Sequence, residues 1–114
     1  MFGSFTEFFY KALAGLRVDP ENPGFRHFYL EPKFVKDIDW VEYQFESPYG
    51  LIKSEWKRWA EGITWKCEVP PNSLATLKLP SRNYEIYREN GRRIMEGDRN
   101  QPLLGPGIYE IRIP

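Results

Sequence analysis

The sequence predicts a mainly β fold: an antiparallel β-sandwich of about seven to eight strands preceded by one N-terminal α-helix. Three observations carry this. From residue 25 onward, apolar and polar residues alternate in short runs. Turn-forming clusters separate the runs, among them Ser47-Pro48-Tyr49-Gly50, Pro70-Pro71-Asn72, Asn90-Gly91 and Gly105-Pro106-Gly107. Aromatic residues make up 17% of the chain, and large rings fill the space between two packed sheets. A length of 114 residues suits one hydrophobic core.

The first element is a helix over residues 2–16. Ser4 can cap it, with Glu7 as the reciprocal capping-box partner. Phe2, Phe5, Phe9, Ala12, Leu13 and Leu16 form one stripe, and Gly15 suits a left-handed cap. Phe8 and Tyr10 lie off the stripe, so this helix is apolar over more than one face and belongs inside a larger structure. Asp19-Pro20-Glu21-Asn22-Pro23-Gly24 then breaks the pattern. The expected division is a helical segment at 1–18 and a β-sandwich at 19–114.

The strands begin at Phe25–Glu31 and continue with a hairpin over Asp39–Glu46 and Leu51–Trp59. In the first arm, Val41, Tyr43 and Phe45 face one way and Trp40, Glu42, Gln44 and Glu46 the other. A four-residue loop at 47–50 pairs Phe45 with Ile52, Val41 with Trp56, Gln44 with Lys53 and Trp40 with Lys57. A one-residue slip would mix the faces, so the pattern fixes the register. It also sets Glu42 opposite Glu55, a like-charge pair that costs stability. Further strands are Gly62–Val69, Ser73–Leu79, Asn83–Arg88, Arg92–Glu96 and Ile108–Ile113. In the first of these, Ile63, Trp65, Cys67 and Val69 share the inner face.

Composition excludes several functions. Sixteen basic and sixteen acidic residues balance, which argues against electrostatic binding of nucleic acid. No apolar run reaches the roughly 20 residues of a membrane-spanning helix. One histidine, His27, cannot build a metal site alone, and a structural role is expected for it. Cys67, the one cysteine, has no internal disulfide partner and reads as a small buried hydrophobe. No phosphate-binding loop, dinucleotide fingerprint or nucleophile elbow is present, so no cofactor is expected. Carboxylates on one strand are spaced by strand geometry alone, about 7 Å for residues two apart, so neither Glu42 and Glu46, on one strand face, nor Asp37 and Asp39 carry a catalytic signal from their spacing. Trp40 and Trp59 remain: both fall on the outward face of the hairpin, where an indole either stacks on a sugar ring or lies under a neighbouring domain.

The wording of the hairpin adds a resemblance. Trp40–Trp56, with Glu46-Ser47-Pro48-Tyr49-Gly50 and Ile52-Lys53-Ser54-Glu55-Trp56, resembles the C-terminal region of bacterial α-L-rhamnosidases, whose catalytic domain is an (α/α)6 barrel. Pro70-Pro71-Asn72-Ser73-Leu74-Ala75-Thr76, Leu79-Pro80 and Gly107-Ile108-Tyr109-Glu110 are similar to the strands that follow in that family. Upstream, Phe2-Gly3-Ser4, Ala14-Gly15-Leu16 and Asp19-Pro20 look like the last barrel helix and its exit, and Gly24-Phe25-Arg26-His27-Phe28 like the first sandwich strand. The resemblance implies a C-terminal fragment of a glycoside hydrolase acting on terminal α-linked rhamnose. No position matches the family's catalytic carboxylates, so no catalytic residue is carried over. The partner implied is the parent's barrel; the residues themselves leave two alternatives, a module binding a rhamnose-containing glycan through Trp40 and Trp59, and a stand-alone interaction protein that docks a partner or a second copy through its apolar N-terminal helix.

Overall fold

The computed structural model describes residues 11–21, 24–79, 83–96 and 101–114. Ten strands are present among the described residues. They are β1 (Leu16–Val18), β2 (His27–Leu30), β3 (Trp40–Ser47), β4 (Gly50–Trp59), β5 (Gly62–Val69), β6 (Leu74–Leu77), β7 (Glu85–Arg88), β8 (Arg93–Glu96), β9 (Leu103–Leu104) and β10 (Gly107–Ile113). They form two sheets: sheet A, in the order β1-β2-β6-β9, and sheet B, in the order β3-β4-β5-β10-β7-β8. All pairings are antiparallel except β2 with β6, which is parallel.

Sheet B is built from the alternation that the sequence displays. In β3, Val41 and Tyr43 are buried, while Trp40, Glu42, Gln44 and Glu46 are exposed. The β3–β4 register is the expected one, pairing Phe45 with Ile52 and Val41 with Trp56. The loop is tighter than the four residues anticipated, because Ser47 also pairs with Gly50 and leaves Pro48 and Tyr49 as the turn. Ser47 Oγ closes it, donating to the Gly50 carbonyl at 2.8 Å and accepting from Tyr49 N–H at 3.2 Å. Such a side-chain bond replaces backbone pairing where the chain reverses.

The inner faces meet in one core. Sheet A contributes Phe28, Leu30, Ala75, Leu77 and Leu104, and sheet B contributes Val41, Ile52, Trp56, Trp65, Cys67, Ile86 and Ile111. Phe34, from the connection before β3, packs edge-on against Trp56 with ring centroids 5.2 Å apart. Arg58 also belongs to the inner register of β4. Its Nη2 donates to the Phe34 and Val35 carbonyls at 3.1 and 2.9 Å, so the charge ties that connection to the sheet, while Nε is buried without a partner.

The helix differs from expectation at its C-terminal end. Residues 11–14 are helical, and Gly15 ends the helix with φ +86°. Leu16, expected on the helical stripe, instead opens β1 and pairs with Leu30. Residues 16–18, assigned with the helix in the expected 1–18 segment, are thus an edge strand of sheet A. The physical reason is Gly15: the left-handed turn redirects the chain, so that Glu31 N–H bonds the Gly15 carbonyl at 2.8 Å. Ser4 and the stripe residues Phe2, Phe5 and Phe9 lie outside the described residues.

Candidate functional site

The outer face of sheet B collects the residues singled out from sequence. The strand register sets Trp40, Lys57, Thr64, Arg112 and Glu85 in one row across the sheet. The adjacent row runs Glu42, Glu55, Lys66, Glu110 and Tyr87. Trp59 stands at the end of β4, opposite Gly62. Alternation within each strand puts all of these on the side away from the core.

The β7–β10 half of this face is occupied by its own contacts. Tyr87 donates its hydroxyl to Glu85 at 2.8 Å, Arg93 reaches the other Glu85 oxygen at 3.0 Å, and Arg112 binds Glu110 at 2.7 Å. The Arg112 guanidinium also lies over the Tyr87 ring, 4.2 Å from its centroid. The hydrogen bonds from Tyr87 and then Arg93 hold the Glu85 carboxyl below the usual carboxylate range, and the same contact to Glu85 raises the Tyr87 phenol.

The β3–β4 half is different. Trp40 is 57% exposed and Trp59 50%. An open groove of about 400 Å³ lies against them, lined also by Glu42, Glu55, Lys57 and Lys66. A second hollow of about 550 Å³ lies on the other flank of Trp59, with Thr64, Asn83, Glu85 and Arg112 in its wall. The Lys57 ammonium sits 4.5 Å from the Trp59 ring centroid. Sequence alternation thus locates both tryptophans, but not the groove, which depends on how long side chains lie across the face.

His27 is held by two hydrogen bonds. Nδ1 meets Asp19 Oδ2 and Nε2 meets Thr76 Oγ1, each at 2.7 Å. A carboxylate only accepts, so Nδ1–H donates to Asp19 and Nε2 is left to accept the Thr76 hydroxyl. The ring therefore ties the loop after β1 to the parallel β2–β6 pair, the structural role expected of it. Neither partner was identifiable from sequence: Asp19 sits in the breaker segment, and Thr76 is 49 residues away.

Cys67 is buried between Trp65 and Val69, and burial pushes its thiol up to about 12. The sign follows directly. Thiolate formation is favoured in the unfolded chain above pH 9.0 and disfavoured in the fold until about 12. The stability of the fold therefore falls as pH rises through that window, because the unfolded chain alone releases the thiol proton there. Cys67→Ala is expected to lose less stability than the parent chain between pH 8 and pH 10.5, measured by urea unfolding at both values. Equal losses would contradict it. Alkylation of folded Cys67 by iodoacetamide should be at least about tenfold slower than in urea-unfolded chain.

Among the described residues, no group of three or more His, Cys, Asp or Glu side chains could hold a metal ion. Nor is any helix there long and apolar enough to cross a membrane.

The comparisons with known proteins agree with this architecture. Residues 15–93 match the bacterial alpha-L-rhamnosidase C-terminal domain. The chain belongs to that family. An alpha-L-rhamnosidase from Formosa agariphila is 26% identical over 97% of the chain, which spans 13% of that relative. Among solved structures, alpha-L-rhamnosidase from Dictyoglumus thermophilum superposes with a TM-score of 0.76 at 22% identity, covering 97% of this chain and 13% of that one. The enzyme from Streptomyces avermitilis, complexed with L-rhamnose, gives 0.75 at 22% identity, covering 99% and 11%. The sequence therefore corresponds to a small C-terminal part of much larger chains.

Proposed function

We propose that this chain is a non-catalytic β-sandwich that packs on, and stabilises, the (α/α)6 catalytic barrel of a parent hydrolysing terminal α-L-rhamnose. The observation that supports this best is how the helical segment is held. Ser54 Oγ donates to the Ala14 carbonyl at 2.8 Å, and Trp56 Nε1 to the Leu13 carbonyl at 3.2 Å, both from the inner face of β4. The last helical carbonyls, which a helix leaves unpaired, are thus satisfied by the sandwich itself. Leu13 and Ala14 are buried with them. A helix seated this firmly transmits the orientation of whatever precedes it. In this reading the barrel-derived segment ends at Gly15 and the sandwich begins with β1.

The test uses a parent rhamnosidase carrying this domain, with and without the segment equivalent to residues 16–114. Removal is expected to lower the thermal midpoint of the barrel and to shorten the lifetime of its hydrolysis of 4-nitrophenyl α-L-rhamnoside. The 114-residue chain alone should leave that substrate intact. Turnover by the isolated chain, or an unchanged barrel midpoint, would sink the proposal.

A further inference from the structure

We propose that the groove between Trp40 and Trp59 is a binding site for a short neutral oligosaccharide, separate from the surface through which the helical segment enters. The separation rests on the sheet itself. Residues 13 and 14 are held from the inner face of β4, by Ser54 and Trp56. Trp40 of β3 and Lys57 and Trp59 of β4 project from the outer face of sheet B.

Three observations define the ligand's chemistry. First, the two indoles are among the most exposed large aromatics of the described residues and flank a common groove of about 400 Å³. This lies within the range of small-molecule sites, about 300–1,000 Å³. An indole presents a flat apolar face, to which the C–H side of a pyranose is complementary. Second, the groove also carries Glu42, Glu55, Lys57 and Lys66. Two acceptors and two donors bind hydroxyl groups from both sides, and their charges cancel, so a charged ligand gains nothing there. The centre of a protein–protein contact is depleted in Lys and Glu, whereas these make up much of this wall. Third, Glu42 pairs directly with Glu55. Among the described residues Glu42 has no ion pair, and Glu55 reaches only Lys53, at 4.0 Å. Like charges directly opposite on a sheet destabilise it. A hydroxyl group donated between the two carboxylates offsets that repulsion. The second hollow, sharing Trp59 and Thr64 with the first, extends the site toward Asn83 and Arg112, which favours more than one ring.

The experiment is a titration of the 114-residue chain with L-rhamnose, a neutral rhamnan oligosaccharide and cellotetraose, read by tryptophan fluorescence and calorimetry. At least one oligosaccharide should saturate the signal at or below about 1 mM, a free energy of about −4 kcal/mol. Trp40→Ala and Trp59→Ala should each weaken binding at least about tenfold with unchanged circular dichroism, since both side chains project outward. Glu42→Gln separates function from structure: it should weaken sugar binding while raising the thermal midpoint. No saturable response to any of the three sugars at millimolar concentration overturns the proposal. So does wild-type affinity in both tryptophan variants. A concentration-dependent dimer that Trp59→Ala dissolves would assign the face to a second copy instead, which also overturns it.

Discussion

Replacing Gly15 with alanine is expected to cost about 4 kcal/mol or more, enough to unfold much of the chain at ambient temperature. Two effects add. The φ of +86° is a left-handed conformation, which costs a residue with a side chain about 1–2 kcal/mol. The larger effect is space. An added Cβ would meet the Glu31 carbonyl carbon at 2.1 Å and the Pro32 nitrogen at 2.5 Å. Both neighbours are backbone and cannot rotate away. Relief requires parting the helix end from the chain after β2, which breaks the bonds from Glu31 N–H to the Gly15 carbonyl and from Lys33 N–H to the Leu13 carbonyl. Gly91→Ala is the control. Its φ is also +86°, but nothing lies within 4 Å of the added atom, so only the conformational cost of about 1–2 kcal/mol remains. Urea unfolding of both variants measures the difference. Equal losses would show that the close approach at Gly15 is unimportant.

Ser54→Ala carries the second large effect, about 2–6 kcal/mol, from a single oxygen atom. The Ser54 hydroxyl donates to the Ala14 carbonyl and accepts the Trp65 indole N–H at 2.9 Å, and all three groups are buried. Alanine leaves both partners unpaired in the core, each costing about 1–3 kcal/mol. The diagnostic is a double-mutant cycle with Trp65→Phe, which removes the indole donor. The pair should cost less than the two singles together, by roughly 1 kcal/mol or more. Additive losses would mean that the serine acts only through its volume.

Parts of this fold were legible because one rule decided them. Val41, Tyr43, Ile52, Trp56, Trp65 and Cys67 were placed inward by period-two alternation, and the same rule put Trp40 and Trp59 outside. The register followed, since any slip would bury Glu42 or Gln44. β1 and β9 were not legible. Leu16–Val18 and Leu103–Leu104 are too short to show a period, and the partner of β9, β6, lies far off in the chain. Leu16 continues the helical stripe of Ala12 and Leu13, so periodicity alone extends the helix over it. The conformation at Gly15 overrides that stripe, and its necessity becomes visible only once Glu31 and Pro32 are seen beside it. The parallel β2–β6 pair escaped because antiparallel order is the default for short strands joined by tight turns. At the groove, the identities of Trp40, Trp59, Glu42 and Glu55 were readable, and the shape was not.

The parallel pairing of β2 with β6 has a kinetic consequence. β3, β4 and β5 follow one another through tight turns and can zip in sequence, each loop closing at small entropic cost. Beyond the β1–β2 pair, sheet A has no such route. Its strands come from residues 16–18, 27–30, 74–77 and 103–104, and His27 cannot meet Leu74 until the β3–β5 meander between them has folded back. The protein is therefore expected to assemble from the middle outward, with the β3–β5 meander as the early scaffold and sheet A as the last cover. Amide exchange during refolding should then protect Val41, Ser54 and Lys66, whose amides bond within the meander, before Phe28, Leu30 and Ala75.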